Sequence, residues 1–270
     1  MNIDVKKDGH MHSEVCPHGT KDPMEMYIKE AIDKGLNEIT FTEHMPMVMG
    51  FYDEELLKEA APDEKGIEKY FERLQVLKEK YKNDLKINIG LEVDYIEDYE
   101  EETKKILNKY IHLLDEGILS VHFIKYNGKH YCLDVIEGFQ ELFKDIKDLN
   151  KIYDIYFETI IKSINSKIGK DKIKRIGHPT LVRIFNKKYP LKYENWHLIN
   201  KMIKAIKDND YEVDVNTAGL RKPFCGELYP YNEILKVILE SNIKCVYGSD
   251  SHQCQDVGYK FETIEEADEH

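Results

Sequence analysis

The sequence predicts an α/β barrel, parallel strands wrapped by helices, with its chemistry at the mouth formed by the strands' C-terminal ends. Three observations predict it. Extended and helical segments alternate from one end of the chain to the other, the pattern of a parallel sheet covered by helices. Seven histidines and two carboxylates stand where apolar runs finish or just beyond. At 270 residues and 41% hydrophobic composition, the chain can bury a full core as one barrel-sized unit, residues 1–270.

The elements follow in order. A first strand spans Val5 to His10. Asp22-Pro23-Met24-Glu25 then reads as an N-cap, a proline at the first helical position and a capping-box carboxylate. Met24, Tyr27, Ile28, Ala31 and Ile32 repeat at helical spacing, and Gly35 ends that helix. Further strands are expected at Glu38 to His44, Lys86 to Glu92, Gly117 to His122, Ile173 to His178, Glu212 to Asn216 and Lys244 to Ser249. Helices are expected at Asp63 to Tyr81, Tyr99 to Leu114, Phe139 to Ile168, Glu194 to Asp208 and Tyr231 to Ser241. The stretch 123–172 exceeds what one crossover needs, so an extra helix or a lid is expected there.

Bulk properties narrow the function. The formal net charge of -12 opposes binding to a polyphosphate backbone, which favours a small substrate over a nucleic acid. No apolar run is long enough to cross a bilayer, and the opening Met1 to Lys7 carries no signal segment, so a cytoplasmic protein without a membrane partner is expected. The five cysteines are scattered, with no Cys-x-x-Cys spacing, and read as reduced thiols.

Six of the seven expected strands deliver a histidine or a carboxylate at one and the same end. His10 and His12 are two apart on a strand, so they share a face. His44, Glu92, His122, His178, Asp250 and His252 close later runs, and His18 follows the first on a loop. Imidazole nitrogen mixed with carboxylate oxygen suits zinc, manganese or iron. Nine donors exceed the roughly four to six that one ion takes, so two or three divalent ions sharing ligands are expected. Cys16, near His18, reads as a small loop or core thiol rather than as a thiolate ligand.

These residues resemble the polymerase and histidinol phosphatase (PHP) superfamily, and within it the histidinol-phosphate phosphatase branch. The resemblance runs through Asp8-Gly9-His10-Met11-His12, Cys16-Pro17-His18-Gly19, Phe41-Thr42-Glu43-His44, Gly90-Leu91-Glu92-Val93-Asp94, Ser120-Val121-His122, Gly177-His178-Pro179 and Gly248-Ser249-Asp250-Ser251-His252. It implies a distorted seven-stranded, TIM-like (β/α)7 barrel with up to three metal ions. The implied ligands are His10, His12, His18, His44, Glu92, His122, His178, Asp250 and His252, with Glu92 bridging. The implied reaction is hydrolysis of L-histidinol phosphate, with a hydroxide held between metals attacking phosphorus in line. Asp250 or His252 would protonate the leaving alkoxide.

Arg183 and Arg221 follow the fifth and sixth strands, and a guanidinium fork matches phosphate oxygens, so both are expected to clamp the phosphate. Asp94 and Phe123 are expected to meet the histidinol moiety. Glu43 is read as orienting a ligand rather than as a ligand. His112, His130, His197 and His270 have no strand-end placement and read as ordinary surface or helix residues. The competing readings are a phosphodiesterase or exonuclease of the same chemistry, another small-molecule phosphatase, and a metal-binding protein without turnover.

Overall fold

The computed structural model describes residues 3–261. Seven parallel strands form one sheet in the order β1 (Lys7–Met11), β2 (Glu38–His44), β3 (Lys86–Asp94), β4 (Gly117–Ser120), β7 (Ile173–Ile176), β8 (Glu212–Asn216), β9 (Cys245–Gly248). Between β4 and β7 lies an antiparallel hairpin of β5 (Phe123–Tyr126) and β6 (Lys129–Cys132). The sheet curls until β9 lies beside β1. Two backbone bonds join them at the C-terminal mouth: Asp250 N–H donates to His10 O at 2.7 Å, and His12 N–H donates to Ser251 O at 2.9 Å. A seam of this kind, without a full ladder, makes the barrel a distorted one.

Helices fill the crossovers: α1 (Met24–Asp33), α2 (Glu54–Ala60), α3 (Glu64–Lys80), α4 (Glu100–Tyr110), α5 (Ile136–Ile146), α6 (Leu149–Ser166), α7 (Trp196–Asp208), α8 (Ala218–Arg221) and α9 (Asn232–Glu240). Their apolar faces, such as Tyr70 and Leu74 of α3 or Ile199 and Met202 of α7, pack on strand residues in one large core. No helix among the described residues is long and apolar enough to cross a membrane.

Several boundaries differ from expectation for local reasons. The stretch 139–168 is not one helix: Lys147 adopts a left-handed φ of 58°, and the Asp148 carboxylate caps α6 by accepting from Asn150 N–H at 2.9 Å. At α1 the expected capping box is absent. Pro23 itself is the N-cap residue, the N–H of Met24 donates to Glu14 Oε2 at 2.6 Å, and Glu25 pairs instead with Lys80 and Tyr81 at 2.7 and 2.6 Å. Helix α2 and the β5–β6 hairpin were not expected as such. His130 is buried in that hairpin with Nε2 3.0 Å from Glu97 O, so it is no surface residue. His270 lies outside the described residues.

At the N-terminal end the barrel is plugged by polar groups. Arg175 is fully buried, donates to Gly9 O at 2.7 Å and meets Glu116 at 3.2 Å. Glu116 also takes Lys7 at 3.1 Å and the Thr40 hydroxyl. With this end closed, ligand access is left to the opposite mouth.

Candidate metal centre

Each expected ligand reaches the C-terminal mouth. His10 and His44 stand within or at the end of their strands and Glu92 inside β3, whereas His122, His178 and Asp250 lie two residues past β4, β7 and β9. β2 and β3 pair with His44 directly beside Glu92, so parallel register alone brings those two side chains together.

Glu92 is the centre of the arrangement, and its two oxygens face different imidazoles. Oε2 lies 3.5, 3.6 and 3.2 Å from His10 Nε2, His12 Nε2 and His44 Nδ1. Oε1 lies 3.0 and 3.8 Å from His178 Nε2 and His122 Nε2, and accepts from Ser120 Oγ at 2.5 Å. Asp250 Oδ1 approaches His12 Nε2 at 3.3 Å and His10 Nε2 at 3.9 Å. A third grouping forms where His18 Nε2 and His252 Nε2 lie 3.0 Å apart beside His44, their ring centroids 5.2 and 5.9 Å from the His44 ring.

A second layer of acceptors fixes the rings. His10 Nδ1 lies 2.9 Å from Asp214, His12 Nδ1 3.4 Å from Glu43, His122 Nδ1 2.7 Å from Asp94 and His18 Nδ1 3.1 Å from Glu59 O. In each case the Nε2 edge is left facing inward, the arrangement by which carboxylates orient metal-binding imidazoles. Glu43 is held in turn by Ser13 N–H at 3.0 Å. The motif glycines make room for this layer. A Cβ on Gly248 would sit 2.2 Å from Asp214 Oδ1, and one on Gly177 2.0 Å from Ser120 Oγ. Two ligands also sit in strained backbone: His178 and Asp250 have φ of 25° and 51°, a region that side chains other than glycine seldom occupy.

The donor set fits divalent cations. His10 Nε2, His12 Nε2, His44 Nε2 and His178 Nδ1 are buried and make no hydrogen bond, a costly state for polar atoms unless a cation receives them. Electrostatics agree. Burial opposes ionisation of Glu92 and Asp250, yet the surrounding imidazoles hold both carboxyls well below the usual range. Burial pushes His122 down, but Asp94 and Glu92 outweigh it and raise the ring to about 10. Burial and the charge of His12 depress His44 and His252. The cage thus carries ionised carboxylates among crowded imidazoles and gains by taking up positive charge.

The cage opens on a cavity of about 560 Å³, lined on one side by His18, Glu92, His122, Arg221 and Asp250 and on the other by Tyr52, Leu56, Phe123, Val135, Leu181 and Ile184. Arg221, on α8, donates to Asp250 O at 2.7 Å and pairs with Asp256 at 3.0 Å, which leaves Nη1 without a hydrogen bond. Phe123 packs edge-on against Phe51 and Tyr52 as an apolar wall.

Two expected roles change. Arg183 does not reach the cage: its guanidinium grips Glu227 at 2.5 and 2.8 Å, donates to Leu191 O at 3.2 Å and lies over the Tyr231 ring in a separate hollow. The short 3-10 turn at Leu181–Arg183 directs it there. Asp94 borders the cavity, but its carboxylate is taken up by His122. The residues that sequence reasoning missed are Asp214 and Asn216, which accept and donate around Asp250 and His10. Their signal was present as polar residues alternating with Val213 and Val215 on one strand face.

Fold and site together define a metal-binding α/β barrel with a buried imidazole and carboxylate centre. The PHP domain matches residues 8–218, and the chain belongs to that family. It is 40% identical over 262 residues to a histidinol-phosphatase of Bacillus subtilis, covering 96% of this chain and 98% of that one. A Listeria monocytogenes structure described as a candidate histidinol phosphatase superposes with a TM-score of 0.88 at 34% identity, over 95% of this chain and 99% of that one. A histidinol phosphate phosphatase of Lactococcus lactis, complexed with zinc, L-histidinol and phosphate, shares the fold with a TM-score of 0.69 at 19% identity, over 97% of this chain and 94% of that one.

Proposed function

We propose that the chain is a metal-dependent phosphomonoesterase that hydrolyses L-histidinol phosphate to L-histidinol and inorganic phosphate. The observation that carries the chemistry is the division of Glu92, one oxygen towards His10, His12 and His44 and the other towards His122 and His178. The substrate follows from full-length similarity to the Bacillus subtilis enzyme.

In this reading two or three zinc, manganese or iron ions occupy the cage. His10, His12, Glu92 and Asp250 would hold one, Glu92, His122 and His178 a second, and His18, His44 and His252 a third. Such cations supply Lewis acidity towards phosphoryl oxygens and lower the pKa of water near them. The chain's own groups do the rest. Arg221 presents its unpaired Nη1 to a phosphoryl oxygen, a charge-assisted bond in a site shielded from bulk water. Asp250 or His252, 3.5 Å apart at the cavity edge and both unprotonated at rest, would relay a proton released by the attacking water to the leaving alkoxide. Phe123 and Tyr52 cover the organic part of the substrate, and the hairpin that carries Phe123 closes one side of the cavity within a single 1–270 unit.

Phosphate release from L-histidinol phosphate should cease with a strong chelator and return with zinc or manganese. Failure to release phosphate at any metal loading overturns the proposal. A preference for short oligonucleotides in a parallel assay would move the chain to the diesterase class.

A further inference from the structure

We propose that Cys16 supplies a thiolate to the cation beside His18, His44 and His252, making this part of the cage a mixed imidazole and sulfur site. The inference rests on the metal reading above and adds a ligand to it. Cys16 is fully buried, and its Sγ belongs to a group with one nitrogen each of His12, His44 and His252 in which all atoms lie within 4.8 Å of one another. Two of those rings, His12 and His44, hold buried Nε2 atoms that make no hydrogen bond, so the sulfur stands among donors that lack a receiver.

The turn around Cys16 is built to present the sulfur. Cys16-Pro17-His18-Gly19 folds back on itself, with Gly19 N–H donating to Cys16 O at 3.4 Å and Cys16 N–H donating to Ser13 O at 3.1 Å. The next residue ties the turn to the opposite segment: Thr20 N–H donates to His252 O at 2.8 Å, which sets the thiol and the His252 ring side by side. A coordinating thiol loses its proton outright to a divalent cation, and sulfur donors favour zinc over manganese. Cys132, the thiol that lines the cavity, donates to Asp134 at 2.8 Å and so has a different partner.

The test is to strip the full-length protein with a chelator, reload it with cobalt(II), measure bound cobalt per chain and record the absorption spectrum. The expected result is an intense near-ultraviolet sulfur-to-cobalt charge-transfer band that Cys16→Ser abolishes and Cys132→Ser retains. Zinc affinity of the site beside Cys16 should fall about tenfold or more in Cys16→Ser, and manganese affinity less. Bound cobalt with visible bands but no charge-transfer band in the unaltered protein overturns the thiolate and leaves the metal reading intact. So does a band that survives Cys16→Ser. Absence of cobalt binding overturns both. The spectrum of the unaltered protein decides the matter even where a variant fails to fold.

Discussion

His10 Nδ1 lies 2.9 Å from Asp214 Oδ2, and both side chains are inaccessible to solvent. Asp214 also accepts from the His178 N–H at 3.3 Å and the Asn216 amide at 3.0 Å. One carboxylate thus orients a ring on β1 and a backbone bend after β7. Asp214→Asn keeps the shape and removes the charge. Metal affinity or turnover is expected to fall about 10- to 100-fold, the usual cost of losing such a partner. Elemental analysis after dialysis, alongside phosphate release, reads it, and unchanged values in both would remove Asp214 from the site.

Gly248 exists for that same pair. An added Cβ would meet Asp214 Oδ1 at 2.2 Å and His10 Cβ at 2.6 Å, and the bond between these two buried side chains holds both in place. Gly248→Ala is expected to destabilise the fold by about 1–3 kcal/mol, the ordinary cost of overpacking, and to lower metal content with it. Chemical denaturation of the metal-free and metal-loaded forms separates the two effects. A variant as stable as the parent in both forms contradicts the geometry.

The two arginines should now behave differently. Arg221→Ala removes the unpaired Nη1 at the cavity and is expected to lower kcat about 10²- to 10³-fold with metal content retained. Arg183→Ala frees Glu227 and uncovers Tyr231 away from the cage, so turnover should stay within a few-fold while stability drops by about 1–3 kcal/mol. Equal losses of turnover in both variants would restore Arg183 to the phosphate.

Much of this was legible in the sequence because the signals are local. Six of the seven strand ends carry a ligand within two residues, His252 follows four residues past β9, and a parallel barrel brings all such ends to one mouth, so His10, His12, His44, Glu92, His122, His178, Asp250 and His252 converge without further information. What was not legible depends on side-chain direction or on competition between neighbours. Arg183 follows a strand as Arg221 does, but only the structure shows Glu227 drawing it away. Asp22 looked like a cap before Pro23, yet its carboxylate goes to Thr20 and to the Cys254 N–H, and Glu14, ten residues before Met24, takes the cap's place. The break at Lys147 and Asp148 left a readable trace, an aspartate before a fresh apolar repeat, that the longer periodicity masked.

The polar plug at the closed end carries the clearest pH signature. Burial raises the pKa of Glu116, but Arg175, Lys7 and the Thr40 hydroxyl overcome it and hold the carboxyl at about 2, against an ordinary 4.5. A depressed pKa means that the ionised form stabilises the fold at pH values above the unfolded pKa, and that this contribution is lost as pH falls through the folded one. The difference corresponds to stability on the order of 3 kcal/mol near neutral pH. Glu116→Gln should therefore be less stable by that order at neutral pH, also because buried Arg175 loses the ion pair at 3.2 Å and is left with the longer one to Glu212 at 3.6 Å. The gap between parent and variant should hold steady down to about the ordinary 4.5 and narrow steadily below it. Urea denaturation in the presence of chelator, so that metal loss does not contribute, measures the gap across that range. A gap that stays constant well below the unfolded pKa would mean that Glu116 acts through packing and not through its charge.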